Sequence, residues 1–472
     1  MRFFKLPNGI NKHNLLFLIL ISIFPVSVIV WESIKSHQIQ KHFHFWKFFR
    51  STKMKKQNLK LTKTEQQNAV LIGYHHKRPV YVPEDCRHVF VCGMTGSGKT
   101  VALSNFVLHA IKQDYPMLLV DGKGDTGSGS LLSICQTMCK TYHRKLYTID
   151  LAKPSLSCAY NPFQHAIPTA CKDMLVNMTE WSEEHYKSNT ERYLQRLAIT
   201  MQQAGITLSF HSLLQYMNSE QFQLLSAKLY KDAVISKIEH LLNLEIIKTC
   251  GKIAESAAAR FLTIAESKTG TIFADGGIDI YTALKENAVL LVILNPLLYP
   301  ELTPAFGRLL LIDAKQAVSK CFHSDLKRAF FVLDEINTYA SSALTDLVNK
   351  SRSANITSVL ATQSLSDLDF AVSENFREQI IENCNNYLVL RQNSAKNAEQ
   401  WAKILGTKST LDVTYQLEQQ HRTTAATGLG SARRVREFLY HPDDIKALPA
   451  GKGVFLSRDY NIHYKIDVCK PF

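Results

Sequence analysis

The chain has 472 residues, 46% hydrophobic and 20% charged, with a formal net charge of +14. That leaves room for two or three domains around a large core, and excludes both wholesale disorder and a small disulfide-stapled scaffold. The charge is uneven: residues 1–65 carry a net +10 and the rest of the chain only +4, so the body is not globally basic and any nucleic-acid patch on it must be local.

Ten cysteines occur without a C-x-x-C pair, and the nearest two, Cys135 and Cys139, lie at helical spacing with no histidine cluster. They read as buried small apolar residues in a reducing compartment rather than as a zinc site or disulfide framework.

Leu15–Trp31 holds 17 residues without a charge. A helix over about 14–34 is long enough to cross a bilayer core, with Pro25 as a tolerated kink. A signal peptide is the rival reading, against which no A-x-A cleavage site follows; a buried core helix is a third. Nine Lys and Arg from Lys35 to Lys63 follow the span, against Arg2, Lys5 and Lys12 before it. Positive charge stays inside, so the expected topology is a single pass with the C-terminal body cytoplasmic. The aromatic and basic run Lys41–Arg50 suits a lipid headgroup interface, or alternatively stacking on single-stranded DNA.

After a polar linker the chain reads as strands alternating with helices. Val89–Thr100, VFVCGMTGSGKT, fits G-x-x-x-x-G-K-[ST] between an apolar strand and a helix. Gly93, Thr95, Gly96, Ser97, Gly98, Lys99 and Thr100 are therefore the candidate nucleotide-binding residues. Glycines allow the backbone amides to turn toward phosphate oxygens, Lys99 reaches the β/γ-phosphates, and the Thr100 hydroxyl is a Mg2+ ligand. Met117–Val120 and Lys145–Ile149 are further strands, the first ending in the charged turn Asp121–Asp125.

Between about Phe163 and Asp279 apolar residues recur at three- and four-residue spacing, which predicts an all-helical insertion. Ala288–Leu294 resumes the buried-strand pattern and a helix is expected over about Pro304–Lys320. Ala329–Glu335, AFFVLDE, is an apolar strand ending in two acids, the Walker B pattern: Asp334 would hold Mg2+ and Glu335 would polarise the attacking water.

Ile356–Ala361 is another buried strand with Gln363 at its end, placed to sense the γ-phosphate. Arg352 suits either the end of a helix or an arginine finger offered to a neighbouring subunit, with Arg391 as the other candidate. Short strands are expected at Glu437–Tyr440, Gly453–Leu456 and Ile462–Ile466, beside a local basic cluster of Arg433, Arg434 and Arg436. The fold class is α/β, a mostly parallel sheet with helices on both faces.

From about Leu71 onward the chain resembles the TraG/TrwB-type coupling proteins of conjugative type IV secretion, within the FtsK/HerA translocase group. The resemblance is carried by RHVFVCGMTGSGKT (87–100), LLVDGKGD (118–125), FFVLDEI (330–336), SRSANITSVLATQS (351–364) and ENCNNYLVLRQ (382–392). It implies a RecA-like motor domain over 71–162 and 286–472, an inserted all-α domain over 163–285, and an anchor with a basic linker over 1–70. It further implies a homohexamer using ATP and Mg2+ at subunit interfaces with DNA in a central channel. By matched position, Gln363 is the sensor and Arg352 the trans finger. Where many members have two spans, one is visible here, and the acidic C-terminal extension of some members does not follow the last strand.

The leading reading is an ATP-driven DNA translocase that couples a relaxase–DNA complex, the relaxosome, to a secretion channel. The alternatives are an ATPase receptor for protein-effector export and an FtsK/HerA-like DNA pump outside conjugation.

Overall fold

Apolar runs become strands, and the strands fall in the order that a nucleotide site requires. They are Ala69–His75 (β1), Arg78–Pro83 (β2), His88–Cys92 (β3), Met117–Asp121 (β4), Leu146–Asp150 (β5), Val289–Ile293 (β6) and Ala329–Asp334 (β7). Ile356–Thr362 (β8), Cys384–Val389 (β9), Thr407–Gln420 (β10), Thr423–Phe438 (β11), Lys452–Ser457 (β12) and Ile462–Val468 (β13) complete the set. The computed structural model describes residues 63–179, 181–322, 327–420 and 423–471. The expected membrane span and its basic flank lie outside them. Among the described residues no helix is long and apolar enough to cross a membrane.

Eleven strands form one sheet in the order β2-β1-β13-β12-β9-β3-β8-β7-β4-β6-β5. From β9 to β5 every neighbouring pair is parallel. The remaining strands, β12, β13, β1 and β2, extend the β9 edge in antiparallel fashion. Each residue of β3, β4, β6, β7 and β8 is buried. Helices cover both faces, so these strands need apolar side chains in both directions, which is why they read as continuous rather than alternating runs.

Between β5 and β6 the expected helical texture is observed. Helices span Pro168–Asn177, Glu184–Gln203, Phe210–Met217, Ser219–Lys231, Lys237–Ala265 and Ile280–Lys285. Local chemistry starts them: Ser209 with Ser212, and Ser236 with Glu239, form reciprocal capping boxes, and Asn218 caps the next helix. The segment leaves and rejoins the sheet at one knot. Tyr160 bridges Phe273 and Ile278, and its hydroxyl donates to Asp313 Oδ2 at 2.9 Å. Burial holds the Asp313 carboxyl well above the usual carboxylate range, and the Ile280 amide also donates to it. The ten cysteines form no disulfide among the described residues and eight of them are buried, as their scatter suggested.

The tail differs from expectation in one respect. The short strand expected at Glu437–Tyr440 is the end of β11, a 16-residue strand paired with the 14-residue β10 in a separate two-stranded ribbon. The ribbon is rooted where the Leu439 amide donates to Gly406 O at 2.9 Å. Arg458 ties Ile404, two residues before that root, to Asn385 at the start of β9. The ribbon therefore leaves the sheet at the end where the parallel strands begin.

One close approach couples the packing to the strand ends. The helix Leu302–Cys321 crosses Tyr339 at Gly307, where a β-carbon would stand 2.2 Å from Tyr339 Cβ. Gly307→Ala is therefore expected to destabilise the protein by about 1–3 kcal/mol through overpacking. Thermal unfolding checks this, and an unchanged melting temperature would mean the helix is not held against Tyr339.

Candidate nucleotide site

The sequence places a glycine wherever the loop after β3 needs one. Gly96 and Gly98 have φ of +76° and +107°, in the left-handed region. A β-carbon on Gly93 would stand 2.5 Å from Ser97 Oγ and 2.6 Å from Leu390 Cβ. Ser97 is fully buried and donates to Met94 O at 2.6 Å, which closes the loop on itself. The helix Lys99–Lys112 then starts at Gly98 with no side-chain cap. Its first-turn amides are left for a ligand to satisfy, and the helix dipole makes an anion the natural one.

Both neighbouring strands hold the loop. Gly93 N donates to Thr362 O, at the end of β8, and Met94 N donates to Arg391 O, just past β9. Strand order thus brings the residues expected from sequence together at the carboxyl ends of β3, β8 and β7. Lys99 is buried, with Nζ 2.5 Å from Glu335 Oε1 and 3.8 Å from Asp334 Oδ1. Gln363 donates to the same Glu335 oxygen at 3.2 Å and accepts from Thr95 Oγ1 at 3.3 Å. One amide side chain therefore joins the phosphate loop to the acid.

The acids sit under strain. Glu335 takes φ +48° and ψ +50°, a conformation that costs a residue other than glycine about 1–3 kcal/mol. Its Oε2 is buried without a hydrogen-bond partner. Asp334 accepts the Glu335 amide on Oδ1 at 2.9 Å, and Tyr339 donates to its backbone oxygen at 3.0 Å. Burial pushes the Asp334 carboxyl up to about 7, opposed by Lys99 and reinforced by Glu335 and Asp121.

Asp121 was not singled out from sequence. It is 2% exposed and lies in register with Asp334 across β4 and β7. Burial raises it to about 6, and the Lys123 and Gly124 amides that donate to Oδ1 oppose that rise. The legible signal was that β4, like β7, is a buried run ending in an acid.

The donor set suits a nucleotide with Mg2+. Among the described residues no three His, Cys, Asp or Glu side chains form a metal cage of their own. Mg2+ typically takes one or two carboxylates together with phosphate oxygens and water, so a hydroxyl and an acid beside a phosphate loop are sufficient. Thr100, Asp334 and the unpartnered Glu335 oxygen offer that chemistry.

The two arginines separate. Arg391 lies on the loop, its Nε 3.3 Å from Met94 Sδ. Arg352 is exposed, in a short 3-10 turn before β8 begins. Its charge acts on His88, the first residue of β3, whose pKa burial already lowers to about 4. The seven residues of β8 put about 20 Å between Arg352 and the end that holds Gln363. Within one chain the structure does not bring Arg352 to the site.

Fold and site define an α/β protein of RecA-like architecture with a P-loop motif at the carboxyl ends of its parallel strands. Residues 328–450 match the family model described as the TraM recognition site of TraD and TraG. The bacterial conjugative coupling protein TrwB, in an unbound form lacking its N-terminal segment, is similar with a TM-score of 0.63 and 17% identity, over 87% of this chain and 90% of that one. TrwB in complex with a non-hydrolysable ATP analogue gives 0.59 and 17%, over 88% and 92%. VirB4 of Thermoanaerobacter pseudethanolicus gives 0.55 and 12%, over 85% and 96%.

An uncharacterised protein of Mycoplasma pneumoniae is 27% identical over 104 residues, which is 22% of this chain and 69% of that relative. A second from the same organism is 36% identical over 56 residues, and the match covers 47% of its length. In its fold, and over residues 328–450 in its sequence, this chain is similar to the TraG/TrwB-type coupling proteins, as its motifs implied.

A buried acid raised from 3.8 to about 7 gives a stability prediction. The folded protein holds that proton more tightly than the unfolded chain. The group's contribution is therefore complete below pH 3.8 and is lost as pH rises through about 7. Asp334→Asn should raise the melting temperature of the ligand-free protein at pH 8 by the equivalent of up to about 4 kcal/mol, with a smaller gain at pH 5.5. A loss of stability at pH 8 would mean that attraction to Lys99 outweighs desolvation.

Proposed function

We propose that this chain is a membrane-anchored ATPase that drives DNA, with its relaxase, into a type IV secretion (conjugation) channel. The observation that carries the reading is the chain of contacts Thr95–Gln363–Glu335–Lys99, which runs from the exposed phosphate loop through the residue after β8 to the buried Walker B acid and lysine. TrwB has been captured with ADP and Mg2+ and with a non-hydrolysable ATP analogue, which supports ATP and Mg2+ as the ligands here. The match to the TraM recognition site supports a relaxosome component as partner.

In this reading Gly93, Thr95, Gly96, Ser97 and Gly98 shape the cradle, and Lys99 neutralises the β/γ-phosphates. Thr100 and Asp334 hold Mg2+, whose role when bound is to offset charge on the phosphate oxygens. Glu335 orients and polarises the attacking water, and Gln363 reports on the γ-phosphate to β8. Arg352, remote from its own site, serves the next subunit of a ring, a homohexamer. The motor spans 71–162 and 286–472 and carries the all-α domain 163–285. Residues 1–70 anchor it in the inner membrane with the body cytoplasmic. A receptor for protein effectors is the second reading, favoured by the small net charge of the body.

Lys99→Ala and Glu335→Gln should both abolish ATP turnover, the first by losing ATP affinity and the second while still binding ATP. Equilibrium binding and hydrolysis assays separate them, and equal loss of binding would contradict the assigned roles. Mixing Arg352→Ala with Glu335→Gln subunits, each inactive alone, should restore partial activity, because some interfaces then hold both groups. No recovery in verified mixed rings would favour an arginine acting in cis, or Arg391 as the finger.

A further inference from the structure

The basic cluster Arg433, Arg434 and Arg436 falls on a β-ribbon, and the ribbon's register sorts its charges onto two faces. Successive strand residues point to opposite sides, and directly opposed residues share a side. Lys408 lies opposite Glu437, Thr410 opposite Val435, and Asp412 opposite Arg433. On that face each cation meets an anion, and Thr410 and Val435 are half-buried. The other face pairs Ser409 with Arg436 and Leu411 with Arg434, above Thr407 and Phe438 at the root. There the two arginines have no acid opposite them. Both are exposed, as are Thr407, Ser409 and Leu411, and Leu411 is 64% exposed. One side is charge-neutral by cross-strand pairing, and the other is a cationic surface with hydroxyls.

An isolated two-stranded ribbon buries too little to be favourable in water by itself. This one is held at its root by the bond from Leu439 to Gly406 and by Phe438 and Leu439 packed on the core. Arg434 and Arg436, two residues apart on one strand, are separated by about 6.8 Å, the axial rise of two phosphates along one strand of duplex DNA. Arginine and hydroxyl side chains are the usual donors to phosphate oxygens, and a two-stranded ribbon fits the major groove of a duplex.

We propose that the Arg434/Arg436 face of the ribbon is a sequence-independent contact surface for the phosphate backbone of DNA. This rests on the translocase reading above and names the local patch that a body of net +4 requires. It places the contact at the end of the sheet remote from the nucleotide.

The test uses the full chain in detergent and anisotropy of a labelled duplex of arbitrary sequence, titrated over a range of salt. Arg434→Gln/Arg436→Gln should make the log–log salt slope shallower by about 1.8, since each neutralised duplex phosphate contributes about 0.9. If both curves converge near 1 M salt, binding at about 0.1 M weakens roughly 60-fold. Arg434→Lys/Arg436→Lys should keep the slope. Lys408→Gln/Glu437→Gln, on the neutral face, should leave it unchanged. ATP-analogue binding and melting temperature should match the unsubstituted protein in all three, and if the glutamine pair misfolds, the single variants Arg434→Gln and Arg436→Gln, each expected to make the slope shallower by about 0.9, decide in its place.

Equal slopes for the unsubstituted and glutamine proteins would overturn the inference while leaving the translocase reading intact. So would equal losses from both faces, or unchanged DNA binding with lost self-association or lost binding of an acidic protein. Absence of any DNA binding by the unsubstituted oligomer would instead remove the translocase reading on which the inference rests.

Discussion

The contact between Lys99 and Glu335 is the constraint on which the site depends. It joins the first turn of one helix to the end of β7, across the intervening strand β8, in a region where both groups are buried. A buried ion pair is worth little net of desolvation, but removing one partner leaves an uncompensated charge at a cost of about 3–5 kcal/mol. The cation therefore fixes where the acids stand, and Asp334, Glu335 and the nearby Asp121 concentrate more negative charge than one lysine balances. The strained Glu335 backbone and its unpartnered oxygen belong to the same arrangement. These terms are unfavourable in the protein alone, and a cation held at the unpartnered oxygen would offset the excess negative charge among them.

Sheet order does the positioning. Because β8 lies between β3 and β7, the residue after it is wedged between the phosphate loop and the acid strand. Gln363 occupies that position and touches both. The loop is not held by its own glycines alone: backbone carbonyls at the ends of β8 and β9 receive the Gly93 and Met94 amides. Any displacement of those strand ends is therefore felt at the loop.

What was legible in the sequence follows from burial. Strands covered on both faces, such as FFVLD and VLLVI, must be apolar throughout and stand out as runs. The loop and acid motifs then sit at their ends, where chemistry needs them. The helical insertion was legible because one-sided burial imposes a three-to-four-residue rhythm, and serines open its helices where reciprocal caps form.

The ribbon was not legible. Thr407–Asp412 and Ala432–Glu437 are mostly exposed on both sides, so no apolar alternation marks them, and the pairing that makes them strands is non-local. β12 and β13 were legible as strands, but non-local pairing hides that they join β1 and β2 in an antiparallel extension of the sheet, and hides the partnership of Asp121 with Asp334, which only register reveals. Arg352 and Arg391 look equivalent as cations near strands. Only the direction of the strands puts one at each end of the sheet.

That separation constrains how a ring of such subunits would work. Arg352 precedes β8 and Gln363 follows it, so one seven-residue strand, buried along its whole length, carries the proposed finger at its start and the proposed sensor at its end. A strand packed on both faces and paired on both edges does not stretch, since interiors are close-packed and transmit strain. The distance between the group that reads a subunit's own nucleotide and the group offered to its neighbour is thus fixed by β8. Motion can pass between sites only as displacement of the strand with its sheet. The ribbon root lies at the Arg352 end, by the start of β9, so a shift of the sheet edge that moves the finger moves the ribbon with it. In the proposed ring, hydrolysis at one end and grip at the other would be linked by rigid backbone rather than by a flexible lid.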